Sequence, residues 1–216
     1  MVDGSPEPSS TALVVQLASA SDYVIAADRG AEVLHAAGVR PDVFCGDDDS
    51  VSAEVAAWAH ASAATDIRFP SEKYATDLAL AIDCAWHAAA RSVRPLELTL
   101  TCASGGRADH QLAVIGLLAQ HADASPRIVE DGCEVRILSP EGRASWDVGA
   151  ETGADGATFS AIALREGTVV SEAGMRWELD HHEMRLLDDL GVSNRIVTHD
   201  ARITCHAGVV ATFLLR

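Results

Sequence analysis

Residues 23–50, "YVIAADRGAEVLHAAGVRPDVFCGDDDS", decide the fold. A short apolar stretch ends at Asp28 and runs into an Ala-rich segment with helical content that stops at Gly38, the residue type that tolerates a helix end. A second apolar stretch then runs into Gly46 and three consecutive carboxylates, Asp47, Asp48 and Asp49. Adjacent like charges repel, so the triplet is either a solvated acidic turn or a cluster that awaits a cation.

The same rhythm continues downstream. "SAEVAAWAHASAA" predicts a helix and "DIRFP" (66–70) a brief strand, and "ATDLALAIDCAWHAAARS" predicts a helix with Thr76 as N-cap and Asp77 in its positive first turn. "LELTLTCA" (96–103) alternates as a strand, and "SGGRADHQLAVIGLLAQHA" turns tightly into another helix. Strand, loop and helix repeated in this way predict right-handed βαβ units and a mainly parallel sheet. Asp28, Asp47–Asp49, Lys73–Asp77 and Gly105–His110 each follow a strand and precede a helix. They are therefore expected to meet at the carboxyl edge of the sheet, where open α/β folds bind ligands.

From about residue 127 the pattern changes. "RIVED", "CEVRILS", "ASWDV", "TFSAIAL", "TVVSEAGMRWELD", "NRIVTHDARITCHAG" and "VVATFLLR" read as strands, and only "HHEMRLLDDLG" (181–191) leaves a helix open. The fold class expected is an α/β N-terminal domain with a mainly parallel sheet, followed by an all-β C-terminal sandwich domain. The boundary expected is 1–132 and 133–216.

A formal net charge of −16 disfavours nucleic acid as a partner, because its phosphates require a basic footprint. A small polyphosphate remains compatible, since a divalent cation held by carboxylates reverses the local sign. No run of about 18 apolar residues is present, so no membrane partner is expected. The first residues lack the regions of a signal peptide, which places the expected reaction in the cytoplasm. The five cysteines are scattered with no CxxC pair, fitting reduced thiols rather than a disulfide framework or a zinc site. His181 and His182, as neighbours on a strand, point to opposite faces, which argues against a shared metal. Lys73 is the one lysine beside fifteen arginines.

No GxxxxGK[ST] or GxGxxG loop occurs. "SGGR" instead offers two glycines for close backbone approach, with Arg107 as a forked donor suited to phosphate. Metal-bound polyphosphate needs hard oxygens for magnesium and cationic or backbone donors for the phosphates. Both are expected on one edge.

The ordered set "ADRGA", "PDVFCGDDDS", "EKYATDLALA", "GGRADH" and the late "GVSN" resembles the thiamine pyrophosphokinase family, with its ADGGA, GDFDS, KDxTD, GGRxDH and SxSN-like segments in the same order. The match extends to about Asn194. The resemblance implies an α/β domain followed by a β-sandwich, usually a homodimer, and magnesium-dependent transfer of a diphosphate from ATP to thiamine with release of AMP. It assigns Asp47, Asp49 and Asp77 to the metal, and Asp49, Asp77, Arg107 and Asp109 to catalysis, Asp109 as acceptor of the hydroxyl proton or cation ligand. Asp28, Gly30, Ser50, Lys73, Thr76, Gly105, Gly106 and His110 fall to the nucleotide, and Trp177, Ser193 and Asn194 to thiamine. Asp48, Tyr74, Arg29 and Val114 depart from the pattern; alternation lets Asp48 point away from the metal. The alternatives are a diphosphokinase for another alcohol such as a hydroxymethylpterin, a phosphohydrolase with an aspartate nucleophile, and a non-catalytic thiamine or nucleotide binder.

Overall fold

The computed structural model describes residues 1–3, 9–46, 50–69, 74–152 and 156–216. The chain divides into two compact units, Met1–Val114 with Ile128–Asp131, and Ile115–Arg127 with Gly132–Arg216.

In the first unit, β1 (Ile25–Ala27), β2 (Val43–Gly46) and β3 (Thr65–Arg68) form a parallel sheet in that order. β1 and β2 are buried along their whole length, which explains why both read as unbroken apolar runs rather than alternating ones. The helices α1 (Thr11–Ser19), α2 (Gly30–Ala37), α3 (Ala53–Ser62), α4 (Asp77–Ala89) and the start of α5 (Ala108–Gln120) accompany them. Local chemistry sets their ends. Ser52 Oγ accepts from Val55 N–H at the start of α3, Thr76 Oγ1 accepts from Ala79 N–H at 3.2 Å before α4, and Gly38 closes α2 at a φ of 67°.

The first residues of the chain belong to this sheet. Val2 N–H donates to Ile25 C=O at 2.9 Å, Ala27 N–H donates to Val2 C=O at 3.0 Å, and Val2 bridges Ala26 and Thr101 in parallel sense. Thr101 follows β4 (Thr99–Leu100), so β4 runs parallel to β1 with Val2 between them. The carboxyl ends of β1, β2, β3 and β4 therefore share an edge. Val2, Val14, Ala26, Leu34, Phe44 and Val55 meet in the core below it. The strand expected over 96–103 is shorter than its alternation suggests, because Cys102 takes a positive φ of 56° and ends it.

The second unit is antiparallel. One sheet runs β10 (Leu179–Met184), β9 (Thr168–Ala173), β12 (Arg202–Ala207), β7 (Ser145–Trp146), and the other runs β11 (Asn194–Arg195), β8 (Thr158–Ala163), β13 (Val210–Leu215), β6 (Cys133–Leu138). Trp146, Val170, Met184 and Ile203 from the first sheet and Leu138, Phe159, Val210 and Leu214 from the second form one apolar cluster. A fully buried side chain of this size stabilises by about 1.5–3 kcal/mol.

Two expectations are corrected here. Residues 181–191 are not helical: β10 occupies them to Met184, because His182, Glu183 and Met184 pair with Val170, Val169 and Thr168 of β9. Nor is this half entirely β, since α6 (Val148–Thr152) follows β7.

Candidate active site

The edge of the parallel sheet carries the candidate residues of the first unit. Asp28 leaves β1 at a φ of 43°, donates its N–H to Cys45 C=O at 2.8 Å, and is buried. Its carboxylate accepts from Ser50 Oγ, so the residues on either side of the acidic triplet, Gly46 and Ser50, are both fixed against it. A Cβ at Gly46 would sit 3.0 Å from Asp28 Oδ1, which measures how closely β1 and β2 end together. Gly30 opens α2 where a Cβ would fall 2.0 Å from Val2 C=O, so no larger residue fits without moving backbone. Arg29, the departure from the family glycine, holds the N-cap position without a side-chain cap.

Asp77 is the first residue of α4, directly after its cap Thr76. From two different loops, Asp77 and Asp28 both act on Cys45 in β2. That thiol is pushed far above the ordinary range, first by its hydrogen bond with Cys84, then by burial, then by the charge of Cys84 and these two carboxylates. At the end of β2, Asp28 and Ser50 are joined by a hydrogen bond, and Asp77 opens α4, which packs on β1 and β2. Asp47, Asp48, Asp49 and Lys73 lie outside the described residues. Among the described residues no three His, Cys, Asp or Glu side chains are grouped so as to hold a metal ion. The donor chemistry nevertheless suits magnesium, because Asp28 and Asp77 bring hard anionic oxygens to the strand from which the triplet emerges.

The glycine turn leaves the same edge after β4. Gly105 and Gly106 have φ of 87° and 73°, a conformation that side chains resist. Arg107 donates from Nε and Nη2 to the two oxygens of Asp109 at 3.1 and 2.6 Å. The hydrogen bond from Arg107 is the main reason that the Asp109 carboxyl is held down to about 2. Both side chains are exposed, as is His110.

Sequence reasoning missed the carboxylate that fixes the root of this turn. Glu130, at the end of β5 (Arg127–Glu130), accepts from Cys102 N–H at 3.0 Å, Ala103 N–H at 2.9 Å and Ser9 Oγ. These bonds stabilise the positive φ of Cys102 and fix where the loop begins. The available signal was an acid closing a short strand directly after two apolar residues, "RIVE".

In the second unit, Trp177 is 58% exposed, so its indole is a surface feature rather than core. The Arg176 guanidinium lies 5.2 Å from its ring centre. Asn194 is buried and its amide is committed to the protein: Oδ1 accepts from Trp177 N–H at 3.1 Å and Arg195 N–H at 2.8 Å, while Nδ2 donates to Trp177 C=O at 2.7 Å and Glu172 Oε2 at 2.8 Å. Ser193 has a φ of 62° and donates its N–H to Ser160 Oγ at 3.0 Å. Glu172, also missed, sits at the inward phase of β9 with Thr168 and Val170. An acid in phase with buried positions was its signal.

An α/β unit whose helix-leading loops gather carboxylates beside a glycine–arginine turn is the apparatus of a transferase that handles polyphosphate. Two family models match the chain: the thiamin pyrophosphokinase catalytic domain over residues 14–129 and the thiamin pyrophosphokinase vitamin B1 binding domain over residues 148–210. The chain is 25% identical over 179 residues to thiamine pyrophosphokinase 1 of Oryza sativa subsp. japonica, spanning 82% of this chain and 67% of that one. It is similar to the crystal structure of thiamin pyrophosphokinase from Geobacillus thermodenitrificans, at 26% identity and a TM-score of 0.76, covering 100% of this chain and 95% of that one. A thiamin pyrophosphokinase family protein from Enterococcus faecalis shares the fold, at 24% identity and a TM-score of 0.79, covering 100% and 97%. The chain belongs to the thiamine pyrophosphokinase family. Its activity is accordingly thiamine diphosphotransfer.

Proposed function

We propose that the chain uses magnesium and ATP, transferring the diphosphate to the thiamine hydroxyl and releasing AMP. The observation that carries this reading is the hydrogen bond joining Asp28 to Ser50 at the end of β2, with Asp77 opening the helix that packs on β1 and β2 and the Gly105–Arg107 turn leaving the same edge. Residues 1–132 form the catalytic domain and residues 133–216, read as a β-sandwich, bind thiamine.

Asp47, Asp49 and Asp77 hold the magnesium, which when bound neutralises charge across the phosphates. Asp48 takes no part in holding it. Asp28 holds Ser50, the residue that follows the triplet, and Gly30 lets the α2 N-terminus approach the nucleotide. The Gly105 and Gly106 amides and Arg107 stabilise charge on the transferred diphosphate, with Lys73, Thr76 and His110 along the phosphates. Asp109 accepts the hydroxyl proton or helps to hold the cation, and in the ligand-free chain it holds Arg107 through two hydrogen bonds. Trp177 offers its face to the cationic thiazolium or the flat pyrimidine, and Ser193 and Asn194 shape that subsite. The working form is a homodimer in the cytoplasm, in keeping with five free thiols.

The test is to incubate the protein with magnesium, ATP and thiamine and to follow the nucleotide product. AMP and thiamine diphosphate are expected in equal amounts. ADP with thiamine monophosphate would overturn the diphosphotransfer reading.

A further inference from the structure

Glu172 is almost fully buried, 1% exposed, and it holds Asn194 through one oxygen only. Its other oxygen, Oε1, is buried with no hydrogen-bond partner. Asn194 in turn bonds both the N–H and the C=O of Trp177, so one amide pins both ends of that residue's backbone. We propose that Glu172 is a positioning residue for the thiamine subsite, acting through Asn194 to hold the backbone from which the Trp177 indole projects. The inference rests on the function proposed above for its reference to thiamine, but the clamp itself does not depend on it.

A buried carboxyl with a bare oxygen tolerates a proton better than a charge. Burial pushes Glu172 up to about 7, opposed by the Asn194 hydrogen bond. Leu179 of β10 and Ile203 of β12 stand opposite it and carry no charge. The titratable or charged groups on the packed elements have their own settings. Arg202 pairs with Asp147, His206 with Ser171, Arg195 with Gly156 C=O and Glu178 with Gly174 N–H. Arg176 lies over Trp177, Asp180 pairs with His181, and His182 and Glu183 are exposed. Burial raises the Cys205 thiol to about 11, so it stays neutral near pH 7. The protonated acid keeps the clamp closed, while ionisation leaves a buried anion that is relieved only by turning toward water and loosening Asn194.

The difference in fluorescence between the protein and its Trp177→Phe variant reports on this residue alone. In ligand-free protein it is expected to shift with a midpoint near pH ~7, and the shift is expected to vanish in Glu172→Gln, which keeps the acceptor and cannot ionise. Glu172→Leu is expected to raise the KM for thiamine about tenfold, with kcat and the KM for ATP nearly unchanged, and Glu172→Gln to restore it. An unchanged fluorescence transition in Glu172→Gln, or an unchanged thiamine KM in a folded Glu172→Leu protein, would overturn the proposal. A protein that makes no thiamine diphosphate would instead overturn the proposed function, and the fluorescence comparison would still decide the clamp.

Discussion

Arg107 spends the ligand-free state on Asp109, two residues away, in a two-pronged bond that holds the planar guanidinium fork in place. An incoming phosphate competes with a fully exposed carboxylate, so the exchange is cheap in solvent. Arg107→Ala is expected to lower kcat by about 10²-fold while changing the thiamine KM little, because its contact strengthens as charge develops on the diphosphate. Steady-state kinetics with both substrates varied checks this. The acidic triplet offers a sharper contrast. Asp49→Asn should abolish most turnover and Asp48→Asn should be tolerated; equal damage from both would overturn their assigned roles. Glu172 gives a pH prediction for stability. Its folded-state acid is raised to about 7, so its contribution is fully present below the ordinary carboxyl range and is lost as pH rises through about 7. Thermal melts should therefore show Glu172→Gln gaining a few degrees on the parent at pH ~8 and little at pH ~4.

The helix ends were the most legible elements. Thr76, Asp77 and Gly38 announce their positions by chemistry that acts within a single turn, and each sits where that chemistry puts it. Residues 181–191 misled for the opposite reason. Their Leu, Met and acidic content favours a helix locally, but β9 offers a ladder, and pairing across strands is invisible to local composition. The Glu130 anchor was hidden likewise, since its partners Ser9, Cys102 and Ala103 are far away in sequence. These element ends can be tested directly. Thr76→Ala should cost about 1 kcal/mol by removing the cap of α4. Gly30→Ala should cost more, about 2–4 kcal/mol, because its methyl meets a carbonyl rather than a side chain that can turn aside. Chemical denaturation of each variant gives both values.

At the scale of the whole chain, the change of rhythm near residue 127 was readable, but the path of the chain was not. The second half of α5 groups with the β-rich unit, and Ile128–Asp131 return to the first. Such exchanges depend on contacts between distant segments, which periodicity does not report. The assembly proposed for the enzyme is tested by sedimentation at assay concentration, where a dimer is expected; a fully active monomer would remove it.

Val2 lies between β1 and β4, joined to Ala26 on one side and Thr101 on the other. On the ribosome, the Val2 segment must therefore wait for one made about a hundred residues later. At about 5–20 residues per second, that interval is on the order of 5–20 s. During it Val2 has no partner on its side away from β1, and a stalled chain ending before Thr99 is left with an open sheet edge that invites a chaperone or a protease.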